Sequence, residues 1–239
     1  MKENLKKSGL LFLKLLVVNF MCAIIVFSIN ILANGFLSNE VGYTAFGTIE
    51  GSEESETLYN YYFDDGEDTK RAEYEAKGYV ITEYPIKELT KKTQNFATAF
   101  SQVLCVFLLA SFIHAMIWDI GFKDGNLVKF KHKEADVFRG LKIGLFTIIP
   151  AVVLLVFLFA AGSITAKVPI VLYKLINSSL YGFLDFADGN SIVVGDLSVF
   201  NFMLMFAAQL IIPLIAHISY ILGFKNISLS EKIVYKKNK

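Results

Sequence analysis

The chain has 239 residues, of which 54% are hydrophobic and only 19% are charged, and its formal net charge is +1. A soluble domain carries about a quarter charged residues, so this composition argues against a soluble class, and the near-neutral charge gives no sign of nucleic-acid binding. The only cysteines, Cys22 and Cys105, lie in apolar stretches, which argues against a disulfide-stapled exterior.

The first apolar stretch follows a short basic start at residues 1–8. A signal peptide is the competing interpretation, but the apolar run after Lys14 has about 19 residues, beyond the 7–15 that are usual for a signal peptide. Residues 1–34 therefore predict a cytoplasmic N-terminus and an uncleaved first transmembrane helix.

Residues 35–95 are polar, with thirteen Asp and Glu against six Lys and Arg. The runs GYTAFGTIEG, TLYNYYF and YVITEYPI carry the aromatic and β-branched residues of strands. Between the second and third runs, good helix formers followed by Gly78 predict a short helix near 67–77. We expect an ordered α+β cap of strand, strand, helix and strand, since disordered segments have few aromatic residues.

Residues 96–239 alternate apolar and basic stretches. The second transmembrane helix is predicted at Phe96–Ile120, a basic cytoplasmic loop at 121–142, and the third helix at Ile143–Ile164. Pro150 interrupts the third helix, which is tolerated in membranes because neighbouring groups can satisfy the freed carbonyl.

The remainder contains one weaker apolar segment and one strong one. Residues 167–186 are too short and interrupted to span, so they predict an amphipathic helix in the outer interface or a re-entrant piece. The fourth transmembrane helix is predicted at Val199–Leu222, followed by a basic tail to Lys239.

The distribution of charge predicts how the chain crosses a membrane. The basic segments 1–8, 121–142 and 223–239 alternate with the acidic or neutral segments 35–95 and 165–198 across four apolar helices. Positive segments stay on the cytoplasmic side. We therefore expect an all-α integral membrane protein with four transmembrane helices, both termini in the cytoplasm, and an extracytoplasmic α+β cap between helices 1 and 2. The richness in Ile, Phe, Lys and Asn indicates a bacterial plasma membrane.

A short motif that occurs twice, which we call the Gly-Phe-Lys echo, indicates an internal repeat. Gly-Phe-Lys follows three residues after Trp118 and again three residues after Tyr220, each time at the end of an apolar run. Two helical hairpins of equal orientation, a 2+2 parallel repeat, would explain the echo, and chance resemblance is the open alternative.

Motifs of catalysis and cofactor binding are missing from the sequence, which contains no Walker A, GxSxG, HExxH or GxGxxG pattern. The acidic run at 64–68 lacks the alternating acids and distal Glu of a calcium loop and favours a solvated turn. We therefore predict no enzyme activity, no cofactor and no metal.

Four polar residues within the apolar helices are the candidate functional positions, namely His114, His217, Gln209 and Ser111. Ionisable groups inside a membrane are costly and often mark function. Neutral histidines hydrogen-bonded between helices are the favoured interpretation, and a shared proton or metal site is the alternative.

Two functions fit the sequence. The first is a non-enzymatic accessory, scaffold or interaction component, whose Tyr-rich cap contacts a membrane or envelope protein. The second is an oligomeric transport or channel component whose polar intramembrane residues line a path. Beyond the lipid bilayer, the sequence identifies no partner and no oligomeric state.

Overall fold

The structure is a computed structural model, and it describes residues 2–49, 55–66, 68–132, 134–160, 168–188 and 194–227. It is mostly helical, with one small sheet. It divides into two compact units, which we call the helical unit and the sheet unit: Met1–Phe27 with Ala99–Lys239, and Ser28–Thr98.

The first half of the chain contains one long helix and the whole sheet. Helix α1 (Lys2–Leu37) is followed by strands β1 (Asn39–Ile49) and β2 (Ser55–Tyr62), helix α2 (Thr69–Ala76) and strand β3 (Tyr79–Glu88). The predicted order of strand, strand, helix and strand is thus confirmed. The sheet order is β2-β1-β3, and both pairings are antiparallel.

Local sequence explains where α2 begins and ends. The side chain of Asp68 accepts hydrogen bonds from the backbone N–H groups of Lys70 and Arg71, which is an N-cap. Gly78 has a φ of 86°, a left-handed conformation that glycine adopts without steric cost. The helix predicted near 67–77 is therefore present.

The second half of the chain is helical. It contains α3 (Lys91–Lys129), α4 (Arg139–Ala160), α5 (Val168–Ile176), α6 (Tyr181–Ala187), and a final pair, α7 (Val199–Gln209) and α8 (Ile211–Phe224). Four segments of the described chain are long and apolar enough to cross a membrane: α1, α3, α4 and the continuous stretch formed by α7 and α8. The number of candidate spans predicted from the sequence is therefore confirmed.

The predicted loop at 121–142 is wrong in its first half, because α3 continues to Lys129. Gly121 and Gly125 both lie where this helix is closely packed and a side chain would not fit. The helix stops where Lys131 adopts a φ of 59° and the N–H of His132 bonds to the carbonyl of Leu127. Helix α4 likewise begins at Arg139, one turn before the predicted Ile143.

The fourth predicted span is present over Val199–Phe224, and a turn at Leu210 divides it into α7 and α8. Pro213 has no N–H to donate to the carbonyl of Gln209, four residues earlier, so the regular helical bond is lost there. By contrast, Pro150 lies inside α4 without ending it, as predicted.

The segment 167–186, predicted as an amphipathic helix or a re-entrant piece, contains two short helices within its described residues. Helices α5 and α6 are separated by a 3-10 turn at Ser178–Leu180. The Ser178 hydroxyl donates to the backbone carbonyl of Asn19, and the Ser179 N–H donates to the Asn19 side chain over 3.1 Å. The break between α5 and α6 therefore coincides with hydrogen bonds to α1. The hydrophobic periodicity of the segment does not reveal these bonds.

Candidate functional site

Helices α3 and α8 cross at the two glycines of the Gly-Phe-Lys echo. A Cβ on Gly121 would lie 2.3 Å from the carbonyl oxygen of Tyr220, and a Cβ on Gly223 would lie 2.1 Å from that of Trp118. Each glycine thus meets the residue three positions before the other glycine. The contact is reciprocal, and only residues without a side chain allow backbones to approach so closely.

Helix α4 packs on the same helix through a second pair of glycines. A Cβ on Gly140 would lie 2.3 Å from the Tyr220 Cβ, and one on Gly144 would lie 2.4 Å from the Pro213 Cα. Both α3 and α4 therefore present a Gly-xxx-Gly pair to α8, the spacing that membrane helices use for close packing. The spacing was visible in the sequence at 121/125 and 140/144, and the sequence analysis missed it.

A buried charged cluster lies beside these crossings. The guanidinium of Arg139 donates to both carboxylate oxygens of Asp124 over 2.7 and 2.6 Å, and it forms an ion pair with Glu3 at 2.6 Å. Its Nε also donates to the Asn4 side chain over 3.0 Å, and the Tyr220 hydroxyl donates to Asp124 over 2.8 Å. The cluster joins α1, α3, α4 and α8.

The contacts of this cluster indicate a structural role in holding the four helices together, and we call the cluster the clamp. The Arg139 and Asp124 side chains are only 5% and 6% exposed, and the guanidinium nitrogens bond to three different side chains. A buried charge that has lost its partner is strongly destabilising. In the sequence, Asp124 is one of several acids near the predicted basic loop, and nothing in the spacing distinguishes it from Asp119 or Asp136.

The structure does not bring the two candidate histidines together. His114 Nδ1 lies 3.3 Å from the Ser219 hydroxyl, whereas the His217 ring stacks on Phe138 with centroids 5.8 Å apart. Residues 217 and 219 point about 200° apart around α8. The structure therefore gives no support to a proton or metal site shared by the two histidines. Among the described residues, no three His, Cys, Asp or Glu side chains are grouped to hold a metal.

The other two candidate residues differ sharply in environment. Ser111 is exposed and donates to the carbonyl of Phe107 in its own helix over 2.8 Å. Gln209 is fully buried at the end of α7, and its Nε2 donates to the Tyr173 hydroxyl over 3.0 Å. Of the four candidates, Gln209 is the one whose side chain is fully buried.

A second charged cluster, absent from the sequence analysis, connects the short helices. The Lys174 ammonium on α5 lies 2.8 Å from carboxylate oxygens of both Asp185 and Asp188. The Lys174 side chain is 8% exposed. The pair of Lys174 with Asp185 joins the two helices of this segment, and Asp188 adds a second carboxylate just after α6.

The polar network of the sheet unit is centred on Asp68. Its carboxylate accepts from the Tyr59 hydroxyl over 2.7 Å and from the Tyr43 hydroxyl, in addition to capping α2. Burial opposes ionisation of Asp68, but the hydrogen bonds outweigh it and bring its pKa below the ordinary 3.8. Burial, followed by the bond to Asp68, raises the pKa of Tyr43 to about 12.

We expect Asp68→Ala to increase amide hydrogen exchange throughout α2, because it removes an N-cap worth about 1 kcal/mol and charge-assisted bonds worth about 1.5–3 kcal/mol. Asp65→Ala, at an exposed neighbouring position, is the control and should change little. Since the folded pKa of Asp68 is depressed, its contribution is complete above about pH 4 and is lost as pH falls through the folded value. Equal exchange in the two variants would contradict the role of Asp68.

Comparison with protein families, curated proteins and solved structures finds no match to this chain.

Proposed function

We propose that this chain is an integral protein of a bacterial plasma membrane. The supporting observation is the apolar outer surface of the four candidate spans, because only 28–39% of the most apolar part of each span is buried. Large apolar side chains point outward from three of the helices, for example Phe107 at 73%, Phe157 at 67% and Phe200 at 66% exposure. Exposed apolar surface on this scale is typical of contact with lipid.

The proposed orientation places both termini in the cytoplasm and the sheet unit outside. The positive segments at 1–8, 121–142 and 223–239 support it through the positive-inside rule. Four candidate spans return the chain to its starting side, which is consistent with that assignment.

Alkaline phosphatase fusions test the orientation. We expect fusions at Gly66 or Gly189 to be active, because these positions would lie outside, and fusions at Gly125 or Lys237 to be inactive. Activity at Gly125 would contradict the four-span arrangement with both ends inside.

The 2+2 parallel repeat is part of this proposal. The reciprocal contact of Gly121 and Gly223 with the backbones of Tyr220 and Trp118 supports it. The aromatic side chains also repeat, since Trp118 stacks on Phe122 at 5.3 Å and Tyr220 stacks on Phe224 at 6.0 Å. Both helices run in the same direction, so an approximate two-fold axis would lie along the membrane normal.

Within the membrane, we propose a non-enzymatic role as an accessory or scaffold that binds a protein partner through the sheet unit. Helix α2 covers one face of the sheet, where Tyr59 stacks on Tyr74 and Arg71 pairs with Glu83. The opposite face carries Val80 and Tyr84, each 58% exposed. Exposed aliphatic and aromatic side chains on one face are typical of a protein interface.

Site-specific photo-crosslinking in cells tests this surface. A benzophenone amino acid replacing Tyr84 should yield one discrete adduct, and Val80→Ser should weaken that adduct by removing an adjacent apolar contact. The matched control places the same probe at Lys87, which is 52% exposed on the same strand but on the other face. No adduct at position 84, or equal adducts at both positions, would contradict the proposed interface.

Transport or conduction by an oligomer is the second candidate function. It is favoured by one observation, a mostly apolar cavity inside the helical unit to which four polar side chains contribute: Asn19, Thr147, Asn177 and Gln209. Because Gln209 is fully buried within its own chain, a path between copies would not reach it. A symmetric homo-oligomer with Gln209 accessible to aqueous reagents would favour this function over the accessory role.

A further inference from the structure

The cavity lies among α1, α4, α5 and the break between α7 and α8. Its volume is about 40 Å³. Most of its wall is aliphatic, including Leu15, Ile148 and Leu154, but four neutral polar side chains also line it: Asn19, Thr147, Asn177 and Gln209. The cavity is therefore polar on one part of its surface, although it lies among helices with an apolar exterior.

Gln209 is the polar group that this cavity leaves unsatisfied. Its side-chain nitrogen donates to the Tyr173 hydroxyl over 3.0 Å. Its carbonyl oxygen is buried and, among the described residues, has no hydrogen-bond partner. A buried acceptor without a partner is destabilising, and the residue itself is 0% exposed, so bulk solvent cannot supply the missing donor.

A second intramembrane glutamine provides a matched comparison. Gln102 uses both ends of its amide, because its nitrogen donates to the carbonyl of Ser179 over 3.0 Å and its oxygen accepts from the Gly182 N–H over 2.5 Å. The side chains are of the same type and both lie in spanning segments. They differ in that Gln102 is satisfied by protein groups alone and Gln209 is not.

We propose that the cavity binds at least one water molecule, which donates a hydrogen bond to the Gln209 carbonyl oxygen. A cavity needs about 10–15 Å³ to hold a water, and a buried water makes about three hydrogen bonds. The cavity volume of about 40 Å³ is sufficient. Asn19, Thr147 and Asn177 supply further partners, so the water connects α1, α4 and α5 to the end of α7.

The lining favours water over a cation. Among the residues that the structure describes, no Asp, Glu, Lys, Arg or His lines the cavity, so a bound ion would not be neutralised by them. Moving an uncompensated ion into an apolar environment is far more costly than moving a neutral polar molecule. Water supplies the missing donor without that cost, and its binding does not depend on either candidate function.

Nuclear magnetic resonance of the full chain in lipid nanodiscs tests the site directly. Selective ¹⁵N-glutamine labelling gives signals from only three residues, Gln94, Gln102 and Gln209. We expect a dipolar rotating-frame cross-peak to water for the Gln209 amide protons at least threefold stronger than that of Gln102. Exposed Gln94 reports exchange with bulk water. Equal cross-peaks, or none at Gln209, would overturn the proposal.

A second measurement distinguishes water from a cation. The Gln209 signal and the thermal midpoint should be unchanged when sodium chloride is replaced by choline chloride at equal ionic strength. A sodium-dependent shift at Gln209 that is absent at Gln102 would overturn the water assignment in favour of a cation site. Both readouts use the unmodified sequence, so neither depends on a variant that must fold.

Discussion

Asp124→Ala is expected to lower the free energy of unfolding by about 3 kcal/mol, near the low end of the 3–5 kcal/mol for a broken buried ion pair. The substitution removes the carboxylate that receives two hydrogen bonds from Arg139 and one from Tyr220. Arg139 keeps its contacts with Glu3 and Asn4, which limits the loss. The measurement is the thermal midpoint in a mild detergent, obtained by size-exclusion chromatography of samples heated to increasing temperatures.

The same helix provides the control for this substitution. Asp119 pairs with Lys123 at 2.7 Å, but its side chain is 51% exposed, and exposed pairs contribute about 0–1 kcal/mol. Asp119→Ala should therefore leave the thermal midpoint nearly unchanged. The double variant Asp124→Leu with Arg139→Met should recover much of the stability, because it removes both charges. Equal midpoints for Asp119→Ala and Asp124→Ala would contradict the clamp.

Gly223→Ala is expected to destabilise the helical unit by about 3 kcal/mol, the upper part of the usual range for overpacking. The added Cβ would lie 2.1 Å from the Trp118 carbonyl oxygen and 3.0 Å from the Phe122 nitrogen. These are backbone atoms of a helix and cannot rotate away, so α3 and α8 must separate. The measurements are the thermal midpoint in detergent and the amount of protein in the membrane fraction.

Gly9→Ala is the matched control, because Gly9 also lies in a helix and a Cβ there would meet nothing within 4 Å. Ala favours helix over Gly by about 1 kcal/mol in peptides, so this variant should be neutral or slightly stabilising. If Gly223→Ala proved as stable as Gly9→Ala, α3 and α8 would not cross as described.

Composition and periodicity were sufficient to predict the number of candidate spans and the elements of the polar segment. A run of about 20 apolar residues predicts a spanning helix whatever its neighbours are. The same holds for α2, since Asp68 and Gly78 act on the backbone beside them. These features depend on interactions within a few residues, and such interactions can be read from the order of the residues.

Contacts between distant residues decided the rest. Gly121 lies in a helix that packs closely against α8. The side-chain oxygen of Gln102 accepts from the Gly182 N–H, whereas that of Gln209 has no partner among the described residues. Asp124 and Arg139 form a pair because α3 and α4 both pack against Tyr220 of α8. His114 and His217 do not meet because α8 turns Ser219, not His217, toward His114. Helix packing sets these distances and rotations. A shift of one residue along a helix rotates the direction of a side chain by about 100°. Hydropathy alone does not specify that direction.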